Sequence, residues 1–162
     1  MNLDTLDLLL TTLSPSEQKY RSGLPYHNWD NLEKVLHNGR EVYMMEINDP
    51  RGPSLDNGGL LSQYESVSPV STARISVKRN SRFNPVPEHV HSYIEINYVY
   101  SGVCPQIIDR TPVTLKKDQV LLIDTNCPHS IPALGGNDIM LSLIVQKEYF
   151  SFDFLLSLFR II

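Results

Sequence analysis

The sequence predicts a mainly β domain, a sandwich or barrel, with helices at both ends, and three observations predict it. From about Ser71 onward, short runs of β-branched and aromatic residues alternate with period two, separated by turn residues at fairly even spacing. Eleven prolines and eight tyrosines favour strands and turns over long helices. Leucines at helical spacing open the chain, and an apolar helical stripe closes it.

The elements follow in order. Leu3, Leu6, Leu9, Leu10 and Leu13 repeat as one helix face. Ser14-Pro15-Ser16-Glu17 reads as a fresh helix start: Ser14 caps, Pro15 suits the first turn, and Glu17 can reach back to the cap backbone. Trp29, Leu32, Val35 and Leu36 form a third helical face, with Gly39 as its stop. Residues 41–47 read as a strand. The stretch from Asn48 to Pro69 holds the turn signals Asp49-Pro50-Arg51-Gly52-Pro53 and Asn57-Gly58-Gly59, and a long mobile loop, a lid or entry arm, is expected there.

Strands are then expected at Arg74–Lys78, Ile94–Tyr100, Gln106–Ile108, Val113–Leu115, Val120–Ile123 and Ile139–Val145. Phe150, Phe154, Leu155, Leu158, Phe159 and Ile162 form the closing stripe, which runs out without a cap, so the chain is expected to continue beyond it. The division expected is a helical extension with its loop over 1–70, a barrel over 71–147 and the start of a C-terminal helix over 148–162.

At 162 residues the chain can bury the core of one domain. A net charge of −4 argues against a nucleic-acid-binding face within it. The densest basic group, Lys78, Arg79 and Arg82, is too short for a tract. Cys104 and Cys127 read as reduced, packed thiols. Met1-Asn2-Leu3-Asp4 carries an acid where a signal peptide needs positive charge, and no run is long enough to span a bilayer, so a cytoplasmic location with no membrane partner is expected.

The candidate chemistry is concentrated in His89, His91, Glu95 and His129. Two imidazoles one residue apart on a strand share a face. A third from elsewhere and a carboxylate can converge on them, and three neutral imidazoles with one carboxylate suit Fe, Mn, Ni, Zn or Cu. An extended chain from His91 to Glu95 would span about 13 Å, too far to share one ion, so a bend near Ser92-Tyr93 is required. Tyr93 and Asn97 have the strand parity of Glu95 and are expected to face the same cavity. Tyr98 and Tyr100 are expected on the outer face.

His-x-His, three residues, Glu, six residues and Gly102 is similar to the first cupin motif, and His129 stands where the second motif places its histidine. That second motif departs from the pattern: Asp118, Asp124 and Asn126 replace the usual Gly, Pro and Gly, and Ala133 stands where Asn is frequent. The run His89-x-His91-x-Tyr93-x-Glu95-x-Asn97-Tyr98-Val99-Tyr100-Ser101-Gly102, with Leu121-Leu122-Ile123-Asp124 and Pro128-His129-Ser130-Ile131, resembles the N-terminal domains of AraC-type transcription regulators.

The resemblance covers roughly Arg74 to Ile162. It implies a cupin-type double-stranded β-helix (jelly-roll) barrel with N-terminal helices and a C-terminal dimerisation helix. It implies a small-molecule effector, a carbohydrate by analogy, bound by His89, His91, Tyr93, Glu95, Asn97 and His129. It also implies a homodimer that meets DNA through a helix-turn-helix domain absent from this chain. No cofactor is required in that reading, although the intact ligand set leaves a divalent metal open at His89, His91, Glu95 and His129. The alternative is a metal-dependent cupin enzyme, a dioxygenase or isomerase, using the three-His/one-Glu site. No further acid–base residue stands out beside the motifs, which favours a sensor without catalytic residues.

Overall fold

The structure, a computed structural model, describes residues 3–23, 29, 32–46 and 75–147. The expected loop over Asn48 to Pro69 and the closing stripe from Phe150 to Ile162, with its helix, lie outside the described residues. Among the described residues, no helix is long and apolar enough to cross a membrane, which says nothing of membrane β-barrels.

Two helices open the chain. α1 (Leu3–Thr11) buries Leu10 and leaves Leu3 and Leu8 exposed. α2 (Pro15–Arg21) starts as expected: Glu17 N donates to Ser14 Oγ at 3.1 Å, and Ser14 N donates to Glu17 Oε2 at 2.8 Å. The same carboxylate also receives Arg79 Nη2 at 2.8 Å and Arg82 Nε at 2.9 Å, with all three side chains buried. The two guanidiniums reach on to the carbonyls of Leu10, Thr11 and Thr12 at the end of α1. A capping carboxylate thus doubles as the bolt between the helices and the barrel.

Where the third helix was expected to end, Val35 and Leu36 lie in a β-hairpin instead. β1 (Lys34–His37) pairs antiparallel with β2 (Arg40–Met44), with His37 opposite Arg40. The turn is Asn38-Gly39, with φ of 48° and 77°. Two successive positive φ values suit the tight hairpin turn whose twist matches its strands, and Asn-Gly is its preferred dipeptide. This local signal outweighed four apolar residues at helical spacing. Gly39 is a turn residue rather than a helix stop, and the hairpin belongs to a barrel sheet, since β2 pairs with a barrel strand.

The remaining strands are β3 (Ile75–Arg79), β4 (Val86–Val90), β5 (Ile94–Ser101), β6 (Val103–Ile108), β7 (Thr111–Lys116), β8 (Val120–Ile123), β9 (His129–Ile131) and β10 (Ile139–Val145). They form two sheets, β1-β2-β4-β9-β6-β7 and β3-β10-β5-β8. From β3 on, the chain passes repeatedly between the sheets. Neighbours are antiparallel except for the parallel pair β2 and β4. This is a jelly-roll barrel, a double-stranded β-helix.

The interior is divided along its length. One end is apolar, built from Val99, Cys104, Leu115, Ile131, Leu134 and Met140. Full burial of such aliphatic side chains is worth about 1.5–3 kcal/mol each. Burial pushes the Cys104 thiol up to about 12, so it behaves as a packed apolar group. Cys127 is also unpaired with another cysteine. The other end of the interior is polar.

Gly102, which closes the first motif, has φ of +72° between β5 and β6. A Cβ there would lie 2.1 Å from Asp138 Oδ1 and 2.8 Å from the Asn137 carbonyl oxygen. Asp138 Oδ1 accepts from Val103 N at 2.9 Å, so it is not free to yield. Gly102→Ala is therefore expected to lose about 1–2 kcal/mol from conformation alone, with the steric conflict adding to it. The check is the urea midpoint, and an unchanged midpoint would refute the account.

Candidate functional site

His89 lies on β4, and His91 follows the end of that strand. The chain bends at Ser92 and Tyr93 before β5 begins at Ile94, as the extended-chain distance requires. Glu95 Oε2 thereby comes within 3.3 Å of His91 Nε2. His129 opens β9 directly across from His89, and its Nε2 lies 3.5 Å from the same carboxylate oxygen. All four residues are buried, and their ligand atoms lie within 4.8 Å of one another.

Hydrogen bonds settle which ring nitrogen faces the cluster. Nδ1 of His89, His91 and His129 stands 2.9, 2.8 and 3.0 Å from the carbonyls of Pro87, Tyr93 and Cys127. A carbonyl only accepts, so in a neutral ring each Nδ1 carries the hydrogen and each Nε2 presents a lone pair. His91 Nε2, His129 Nε2 and Glu95 Oε1 are buried without a hydrogen-bond partner. The 3.3 and 3.5 Å approaches therefore set lone pairs against a carboxylate, an arrangement that a cation at the centre would stabilise. The donor set and its backbone-fixed imidazoles fit a first-row divalent ion.

Burial holds the His89 imidazole well below its ordinary pKa, and the neighbouring His129 adds to this. For Glu95, burial pushes upward, but the Lys78 charge leads the contributions that hold the carboxyl well below the usual range. Burial, with the charges of Glu95 and Glu46, raises the Tyr93 phenol well above its ordinary value.

Tyr93 and Asn97 both sit at this end. The Tyr93 ring stacks on His91 with centroids 3.9 Å apart and planes 9° from parallel. Asn97 is fully buried, accepting from Ser142 Oγ at 2.6 Å and donating to Gln106 Oε1 at 3.4 Å. Tyr98 and Tyr100 face outward as expected, bonded to Asp118 and Asp7.

The structure adds Lys78, Gln106, Ser142 and Asn80, which sequence reading left out. Asn80 Nδ2 donates to Ser142 Oγ at 2.6 Å, and Lys78 Nζ stands 3.9 Å from Glu95 Oε1. The available signal was parity: Ser76 and Lys78 alternate with Ile75 and Val77, and here the polar set points inward.

The worn second motif keeps its backbone. Asp118 and Asn126, where glycine is usual, have φ of 66° and 58°. Asp and Asn are the side chains best tolerated in that left-handed region. The Asn126 amide donates to the His91 carbonyl at 2.8 Å, so the loop still braces the histidine pair.

Fold and site together define a cupin-type barrel with three histidines and one glutamate at its polar end. Residues 74–144 match the sequence model of the AraC-like ligand binding domain. There is no significant match among curated proteins.

Solved structures similar to part of the chain include a conserved protein of unknown function from Streptococcus pyogenes (19% identity, 44% of this chain and 62% of that one, TM-score 0.39). KdgF from Halomonas sp. is similar at 16% identity (44% and 66%, TM-score 0.39), and a cupin protein from Bacteroides fragilis at 21% (47% and 69%, TM-score 0.38). The match spans less than two thirds of the first two of these chains.

Proposed function

We propose that this chain is the effector-binding and dimerisation domain of an AraC-type regulator, sensing a small hydroxylated molecule of the carbohydrate class at the barrel's polar end. In this reading the effector shifts how subunits, or a DNA-binding unit outside these 162 residues, dock. The observation that carries it is the polar interior itself: a buried constellation of His89, His91, Glu95, Asn97 and His129 with unpartnered polar atoms. Burying such groups without partners is costly, and a ligand supplies the partners. The family match over 74–144 supports the regulator reading.

The test is thermal denaturation with a carbohydrate panel, with Glu95→Ala as the pocket control. A ligand at 100 times its Kd should stabilise the native state by about 2.7 kcal/mol, and Glu95→Ala should abolish the shift. A shift retained in Glu95→Ala would place binding elsewhere. Sedimentation of the same samples reads the homodimer.

The four ligand atoms within 4.8 Å also support a second reading, a metal-dependent cupin enzyme. Turnover that depends on the added metal would favour it; ligand binding without turnover favours the sensor.

A further inference from the structure

We propose that the effector is an acid, a small hydroxylated molecule bearing a carboxylate, and that Lys78 is the residue that recognises its charge. This rests on the reading of the barrel's polar end as the effector site and narrows it. Lys78 of β3 lies opposite Ser142 of β10, which lies opposite Asn97 of β5. Ser142 and Asn97 are fully buried, so this row faces the interior.

The Lys78 ammonium is held only loosely there. It stands 3.9 Å from Glu95 Oε1, beyond hydrogen-bond length, and that oxygen has no hydrogen-bond partner. Its side chain is 30% exposed against 2% for Glu95, which puts the ammonium between the buried cluster and solvent. Three guanidiniums of the barrel are committed elsewhere: Arg79 and Arg82 to Glu17, and Arg40 to Glu88 and Asp109.

Charge decides between a neutral and an acidic ligand. Glu95 turns Oε2 to His91 and His129 and Oε1 to Lys78. One carboxylate cannot neutralise both a divalent cation among the imidazoles and an ammonium at its other oxygen. With a divalent ion bound, the polar end would keep two positive charges in excess, which solvent at the 30% exposed Lys78 relieves only in part, and uncompensated charge in a largely buried space is unfavourable. An entering carboxylate relieves the excess and gains charge-assisted hydrogen bonds from Lys78. Asn97 and Ser142 lie on one interior wall and Gln106 faces them from the other sheet, so amide and hydroxyl groups are at hand for the rest of the molecule.

The experiment is calorimetric titration of the whole chain, loaded with one equivalent of Ni²⁺, using matched probes: D-glucuronate against D-glucose, and malonate against 1,3-propanediol. Wild type, Lys78→Met and Lys78→Arg are compared, with circular dichroism confirming that each folds. We expect an acid to bind at least about tenfold more tightly than its neutral partner. Lys78→Met should lose that advantage, and Lys78→Arg should keep most of it. Equal binding of acid and neutral partner, an acid affinity unchanged in Lys78→Met, or no acid bound at all would each overturn the proposal. In the first two cases loss of binding in Glu95→Ala would leave the effector-site reading standing, as would a neutral probe bound alone. A chain that binds no probe of either kind loses both.

Discussion

Glu17→Ala is expected to lower the stability of the domain by about 3–5 kcal/mol, the range for removing one partner of a buried charge pair. Glu17 is fully buried, and both of its oxygens are engaged, by Arg79, by the side chain and backbone of Arg82, and by the Ser14 amide. Deleting the carboxylate strands two guanidiniums that are themselves nearly buried. It also removes the reciprocal half of the helix cap, worth a further ~1 kcal/mol. Urea denaturation reads the loss, and a change below ~1 kcal/mol would mean that water reaches the guanidiniums.

A variant carrying Glu17→Met, Arg79→Leu and Arg82→Leu should recover part of the loss, because no charge is left unpaired. Recovery should be incomplete, since the arginines also serve the carbonyls of Leu10, Thr11, Thr12 and Gly136. The pH dependence has a fixed sign. Burial raises the Glu17 carboxyl, but the hydrogen bonds from Arg82 and Ser14 and the Arg79 charge hold it below its ordinary 4.5. Its contribution is thus present above pH 4.5 and is lost as pH falls through the lower folded value.

How much of this was legible in the sequence depended on whether a signal was local. The capping box at Ser14 and Glu17 involves neighbours and was read correctly; that the same carboxylate bolts Arg79 and Arg82 depends on contacts more than 60 residues apart. Strands with clean alternation were found, while β4 and β9, which carry His89 and His129, are too short and too polar to show a period. The hairpin at Asn38-Gly39 was missed because Val35 and Leu36 of its first strand continue a helical spacing begun at Trp29 and Leu32, although the dipeptide itself named the turn. Lys78 was missed for a different reason. A lysine alternating with Ile75 and Val77 reads as the solvent face, yet those two apolar residues are 41% and 43% exposed. The ordinary apolar-in rule inverts at the polar end of a barrel, and only the pairing of Lys78 with Ser142 reveals it.

Chelator-treated protein is expected to take up about one equivalent of a divalent first-row ion such as Ni²⁺ or Zn²⁺, with His129→Ala abolishing uptake. The reason is the arrangement of lone pairs. Backbone carbonyls fix three Nδ1 hydrogens, so three Nε2 lone pairs converge on Glu95, and at least two of them have no partner. At 100 times its Kd the ion should stabilise the fold by about 2.7 kcal/mol. Without the ion, burial and the neighbouring His129 keep His89 from protonating at its ordinary 6.5. A histidine depressed in this way stabilises the fold above pH 6.5, and the contribution is lost as pH falls toward the folded value. The chelated protein should therefore weaken in mild acid, starting below pH 6.5, before the carboxylates titrate. The ion's own contribution should fade over the same range, because protons compete for the same nitrogens. Melting curves from pH 5 to 8, with and without the ion, test both effects on one sample. Absence of uptake at pH 7.5 would mean that an organic ligand satisfies the imidazoles directly, and would remove the metalloenzyme reading.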